Sequence, residues 1–181
     1  RVLNNLGNLA NDLCDYDRAR SAYEESLEVW RKVNNRQAMA LVLNNLGRVA
    51  VTQGDYARAR EIHTESFAIR QALGDRRSLA LPLYNLGLIT HHEGDFEAAR
   101  KYHEEALVLR TEFGDSDAAA YSTIALAHVL HHQGNDARAL ELFERASAQF
   151  REVGDRVGLA ESLGGYADVA REAGREGEAA T

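Results

Sequence analysis

Seven histidines stand in this chain, and five of them have a spacing that could do chemistry. His128 is followed by His131 and His132, so on a helix His128 shares a face with each of them. Two imidazoles at such spacing can hold zinc or nickel. His91 and His92 repeat the second pair 40 residues earlier. The nearby carboxylates, Glu93 and Asp136, lie toward turns, and no cysteine is close. Adaptable contacts in a binding surface are therefore expected rather than a metal site, with titration near neutrality as the alternative use. His63 and His103 share a slot with Tyr23 and Phe143 and read as packing residues. A second group is carboxamide: Asn4, Asn8, Asn11 and Asn44, with Asn5, Asn45 and Asn85 beside them. An amide both donates and accepts, as an extended peptide main chain requires. A phosphate-cradling Gly-rich loop, a nucleophile elbow, a Ser-His-Asp arrangement and a shielded carboxylate pair are all missing, so no enzyme is expected and no cofactor is implied.

The elements that must carry these residues follow from internal periodicity. Leu6-Gly7, Leu46-Gly47 and Leu86-Gly87 recur every 40 residues, and Leu126-Ala127 and Tyr166-Ala167 continue the series. A second series runs Asp15-Tyr16, Gly54-Asp55-Tyr56, Gly94-Asp95-Phe96 and Gly134-Asn135-Asp136. A third runs Asn34-Asn35-Arg36, Gly74-Asp75-Arg76, Gly114-Asp115 and Gly154-Asp155-Arg156. Glycine ends a helix cheaply in the left-handed conformation, and the Asp or Asn after it caps the next helix. This predicts helices near 1–13, 17–33, 36–53, 56–73, 76–93, 96–113, 116–133, 136–153 and 156–173. Cys14 stands where later repeats have their turn glycine, so the first turn is expected to be built differently. Gly7, Gly47 and Gly87 fall inside helices, where each costs roughly 1 kcal/mol against alanine. That repeated cost implies close helix–helix approach, with Ala127 and Ala167 as the next smallest choice. Leu43, Leu46 and Ala50 make one apolar stripe, and Ala59, Ile62, Ser66 and Ile69 another, at spacings of three and four. One hairpin cannot bury both, so neighbours must stack. The expected fold is all-α, an α-solenoid: a right-handed superhelix of antiparallel hairpins with nine helices, in repeats 1–35, 36–75, 76–115, 116–155 and a partial 156–181.

Asn45-Leu46-Gly47, Gly54-Asp55-Tyr56, Ala59 and the helix through Ile69 resemble the tetratricopeptide consensus in its long, 40-residue form. The likeness covers the whole chain and weakens toward the C-terminus, where Tyr166 and Gly164-Gly165 replace the usual residues. It is similar to repeat arrays of bacterial signalling ATPases and multidomain transcriptional activators, and to Pins-type adaptors of spindle orientation. In this family the first helix of each hairpin lines a concave groove. The resemblance thereby implies a peptide-binding face of Asn4, Asn8, Asn11, Asn44, Arg48, Tyr84, Leu88, His91, Ile124, His128 and His131. Asn4, Asn8 and Asn44, with Asn45 and Asn85 as further candidates, are expected to grip a main chain, and Tyr84, Leu88 and Ile124 to seat an apolar anchor. Asn5, Asn45 and Asn85 lie closer to the helix interface. Some family members clamp a chaperone's carboxylate tail; Asn8 and Asn45 match two clamp positions, but Asn4, Leu81 and Asn85 replace the cations, so that role is not expected. Trp30 aligns with Arg70, Arg110 and Phe150 and reads as a surface or interface filler.

Composition narrows the partner. A net charge of −7 argues against direct nucleic-acid contact, which needs clustered basic surface. No apolar run reaches the ~20 residues of a membrane span. A single cysteine excludes an internal disulfide and suggests a reducing, cytoplasmic compartment. Nineteen arginines against two lysines suggest a bacterial source. The expected function is a protein- or peptide-binding scaffold, the sensing or interaction arm of a bacterial regulator and a segment of a longer protein. Two alternatives stand beside it: a receptor for a small signalling peptide that switches an attached effector, and an end-to-end self-assembly module.

Overall fold

Helix starts and stops along the chain follow its Gly-Asp punctuation. The structure, a computed structural model, describes the backbone of residues 2–179 and the side chains of residues 2–174. Among the described residues there are nine helices and no strand: α1 Val2–Asp12, α2 Tyr16–Lys32, α3 Arg36–Thr52, α4 Tyr56–Ala72, α5 Arg76–His92, α6 Phe96–Glu112, α7 Ser116–His132, α8 Asp136–Val153 and α9 Arg156–Ala179. The side chains of Asp15, Asn35, Asp55, Asp75, Asp95 and Asp155 accept backbone N–H bonds at the starts of their helices. Asp115 and Asn135 hold the same position without a side-chain cap bond.

The first turn corrects one expectation. Cys14 adopts φ 59°, the left-handed conformation that glycine takes at the later turns. Its N–H reaches Asn11 O at 2.9 Å and the Asp15 N–H reaches Ala10 O at 2.8 Å, the pattern repeated by Gly54 and Asp55. Hydrogen bonding imposes the turn, and a Cβ-bearing residue is forced into it. The last helix corrects another. It runs on to Ala179 instead of ending near 173, and Gly174 does not take positive φ. The residue after Gly174 is arginine, which offers no acceptor to start a new helix.

The chain divides into two compact units, Arg1–Ile89 and Thr90–Thr181, with the boundary inside α5. In the first unit, Leu43, Leu46 and Ala50 of α3 are buried with Ala59 and Ile62 of α4, and Ile69 packs against them. An alanine Cβ at Gly47 would stand 2.5 Å from the His63 ring, and one at Gly7 would stand 2.5 Å from Tyr23. The mid-helix glycines thus admit a ring from the paired helix. In the second unit Ala127 is fully buried near Phe143. Ala167, expected to mark the next close approach, is exposed. There Gly165 makes it instead, with an alanine Cβ 2.5 Å from Phe143. The slot shared by Trp30, Arg70, Arg110 and Phe150 is also more interior than expected. Phe150 is buried, and Arg110 donates to Ala118 O at 2.6 Å and Ser122 Oγ at 2.8 Å.

Candidate functional site

The face of the first helices is built twice, once in each unit and from different chemistry. In the first unit, carboxamides join α1, α2 and α3. Tyr23 Oη donates to Asn8 Oδ1 at 2.7 Å, and Asn45 Nδ2 donates to the same oxygen at 3.2 Å and to Asn4 Oδ1 at 3.4 Å. Burial raises the Tyr23 phenol above its ordinary value, opposed by Arg48, whose charge lies close enough to act on it. Asn8 was expected to reach outward. Its oxygen is instead shared by two donors, because the ring in the Tyr23 slot brings a hydroxyl to that level of α1. Asn85 folds back on its own helix, donating to Leu81 O at 3.1 Å.

Asn44 differs from its neighbours. It is half-buried, and its Oδ1 is removed from solvent with no hydrogen-bond partner. Arg48, one turn on, is exposed; Asn11 is half-buried, as are Tyr84 and Leu88 on α5. The first unit therefore brings Asn4, Asn8 and Asn45 together as structure and leaves Asn44 with an unused acceptor.

In the second unit the face is aromatic and titratable. His91 lies 4.9 Å from His132 and 5.5 Å from Phe96, and Phe96 stacks on His132 at 4.9 Å with 13° between planes. His91 Nε2 is buried without a partner. Burial, aided by His132, His128 and His92, pushes its pKa down to about 4. His128 sits edge-on to Phe143 at 4.9 Å, and burial lowers its pKa too. His131 behaves oppositely. Its Nδ1 bonds Asp136 Oδ1 at 2.7 Å and its Nε2 bonds Glu172 Oε2 at 3.1 Å, so the two carboxylates raise its pKa. Among the described residues, no group of three or more His, Cys, Asp or Glu side chains could hold a metal ion.

Two expected groove contacts belong to packing instead. Ile124 is 1% exposed and lies in the core cluster with Ala120, Leu142 and Phe143. His128 is half-buried, 3.2 Å from where a Cβ on Gly165 would stand. Gly165, where an added Cβ would stand 2.5 Å from Phe143 and 3.2 Å from His128, lets α9 pack closely on this part of α7 and α8.

Sequence reasoning missed the partners of these side chains. Asn4 with Asn45, His91 with His132, and His131 with Glu172 each join residues 41 apart. Adding one to the repeat period gives the facing residue on the next first helix, so the periodicity already held that signal. Trp30 was also underrated. It lines a cavity of about 340 Å³ in the first unit with Asn4, Asn5, Asn35, Gln37 and Leu41.

Comparison with known proteins agrees with this architecture. A tetratricopeptide repeat profile matches residues 1–72 and 117–181, and a second matches residues 83–115. No curated protein sequence matches the chain. Among solved structures, BtubC (BKLC) from P. vanneervenii superposes with TM-score 0.77 at 22% identity, over 85% of this chain and 64% of that one. The signal transduction ATPase with numerous domains (STAND) PH0952 from Pyrococcus horikoshii, described as having a tetratricopeptide repeat sensor, gives 0.80 at 19% identity, over 91% of this chain and 26% of that one. A Rap protein complexed with Competence and Sporulation Factor gives 0.79 at 14% identity, over 92% and 50%. The chain thus spans less than two thirds of each of these structures. No described helix is long and apolar enough to cross a membrane. Repeat markers, capped hairpins and the profile matches agree: the chain belongs to the tetratricopeptide repeat family.

Proposed function

We propose that this chain binds an extended polypeptide segment on the first-helix face, with Asn44 as a main-chain contact, and performs no reaction of its own. The observation that carries this reading is the unpaired Asn44 Oδ1. A buried acceptor without a donor costs roughly 1–3 kcal/mol, and turning this half-buried side chain outward to a peptide N–H removes that cost. Around it Asn4, Asn8 and Asn45 are already bonded to one another and to Tyr23. They hold the face in shape, while Asn44 and exposed Arg48 remain to meet a ligand.

A role as the sensing arm of a larger bacterial cytoplasmic regulator fits the same face. Support comes from the likeness to a repeat sensor in a signalling ATPase and to a Rap protein complexed with a factor. Tyr84, Leu88, Asn11, His91 and His131 are further contact candidates. The test is selection of random displayed heptapeptides on the full chain, followed by affinity measurement for Asn44→Ala. Loss of at least tenfold in affinity, with thermal stability held or raised, is expected. Selected peptides that bind Asn44→Ala as tightly as the unaltered chain would remove the assignment.

A further inference from the structure

The cavity beside Trp30 has an unusual lining for so charged a protein. Asp, Glu, Lys and Arg make up 27% of the chain, yet among the described residues none of them lines this space. Its walls are carboxamides (Asn4, Asn5, Asn35 and Gln37), the indole of Trp30 and the aliphatic side chains of Ala38, Leu41 and Val42. Trp30 is half-buried and packs against the first unit's core, which fixes the ring as a wall. Leu41 is 61% exposed, apolar surface with nothing over it. Asn35 Oδ1 caps α3 through Ala38 N–H, so its Nδ2 is left to donate. Asn4 spends its oxygen on Asn45, while Asn5 and Gln37 are exposed.

We propose that this cavity is an anchor site for one uncharged aromatic side chain of a bound peptide. Three features select that occupant. About 340 Å³ is at the small end of ligand sites, suited to a single large side chain. An aromatic wall beside an exposed leucine rewards a ring by area and by edge or face contact. A charged group entering here loses hydration and meets no opposite charge among the described lining residues, whereas a rim of amides satisfies the main chain flanking a neutral residue. The proposal rests on the peptide-binding reading of the first-helix face, since Leu41 stands one turn before Asn44 on α3.

Trp30 is the only tryptophan, so its indole N–H resonance reports this cavity alone. The test titrates the isotope-labelled full chain with acetyl-Gly-X-Gly-amide, where X is Phe, Tyr, Leu, Lys or Glu. Saturable shifts of the indole resonance are expected for Phe and Tyr, weaker ones for Leu, and at least tenfold weaker binding for Lys and Glu. Gln37→Glu adds a charge at an exposed position in the first turn of α3, where a carboxylate suits the helix. It should tighten the Lys peptide at least fivefold while weakening Phe. No indole shift with any peptide, or a Lys or Glu peptide binding the unaltered chain as well as Phe, overturns the proposal. The readout does not involve Asn44, so selected heptapeptides indifferent to Asn44→Ala would sink the groove assignment and leave this one standing.

Discussion

In the first unit α1 and α3 are held together by carboxamides; in the second, α7 and α9 are held together by an imidazole between carboxylates. Both joints use the same offset of 41 residues, Asn4 to Asn45 and His131 to Glu172. Their chemistry responds differently to the medium. Amide bonds do not titrate, so the first unit's face should keep its shape from acid to alkaline pH. The His131 joint carries a proton that Asp136 and Glu172 make the imidazole hold more tightly than an ordinary histidine does. The repeat fixes which residues meet, and the side chains at those positions decide what the meeting responds to.

The sharpest challenge to this contrast is hidden in the first unit's core. His63 is fully buried beneath Gly47, and neither ring nitrogen has a hydrogen-bond partner. Burial pushes its pKa down to about 4. The unfolded chain therefore binds a proton more readily, and stability falls as pH drops from about 6.5 through about 4. That shift is worth on the order of 3 kcal/mol at its acid limit. His63→Phe, the ring found at Phe143 in the same slot, should remove most of this loss. Denaturant unfolding at pH 7 and pH 4 checks it; equal acid sensitivity in the variant would show that the weakness lies elsewhere.

The amide joint can be broken directly. Asn8→Ala deprives the buried Tyr23 hydroxyl and the Asn45 amide of their shared acceptor. It should cost about 2 kcal/mol, whereas Asn44→Ala removes an oxygen that has no partner and should cost little or stabilise. A double mutant with Tyr23→Phe recovers part of the Asn8→Ala loss if the hydroxyl is its cause. Calorimetric midpoints for the three variants order them. Equal losses at Asn8 and Asn44 would erase the division between structural and available amides.

Most of the scaffold was legible because its punctuation is chemical. The Asp or Asn after each turn glycine marks a helix start, and the predicted bounds fall within a residue or so of α2 to α8. The site was less legible, since a face assignment says which way a residue points but not what already occupies it. Asn8 stands at a groove position, but its oxygen is taken by Tyr23 from the paired helix and by Asn45 from the next. Ile124 has the spacing of a surface contact, yet it is buried in the core cluster with Leu142, Phe143 and Val169. The Trp30 cavity joins α1, the end of α2 and the start of α3, and no single-helix pattern announces such a place.

The second unit's joint should show the proton dependence that the first unit's lacks. His131 has a raised pKa from Asp136 and then Glu172, so its contribution is full below the unfolded value near 6.5 and fades as pH rises through the folded value. The pairs are partly exposed, with Glu172 54% accessible, so screening limits the effect to about 0.5–1 kcal/mol. His131→Gln should lower stability at pH 5.5 and matter much less at pH 8.5. Amide hydrogen exchange in α9 at both pH values reads it locally, and added salt should shrink the difference. Identical exchange at pH 5.5 in variant and unaltered chain would mean that the imidazole does not fasten α9.

The smallest expected effect tests whether both units share one turn design. Cys14 holds a left-handed φ of 59° where Gly94 and Gly134 hold 82° and 76°. A Cβ in that region costs roughly 1–2 kcal/mol, while a glycine gives back part of the gain through the freer unfolded chain. Cys14→Gly should therefore stabilise by about 0.5 kcal/mol, and Gly94→Ala should destabilise by about 1 kcal/mol. At Gly94 an added Cβ meets nothing within 4 Å, so any loss there comes from the backbone conformation and not from crowding. If Cys14→Gly destabilised the chain instead, the first turn would owe its shape to the cysteine side chain. The hydrogen bonds from Cys14 and Asp15 to the end of α1 would then be a consequence of that shape and not its cause.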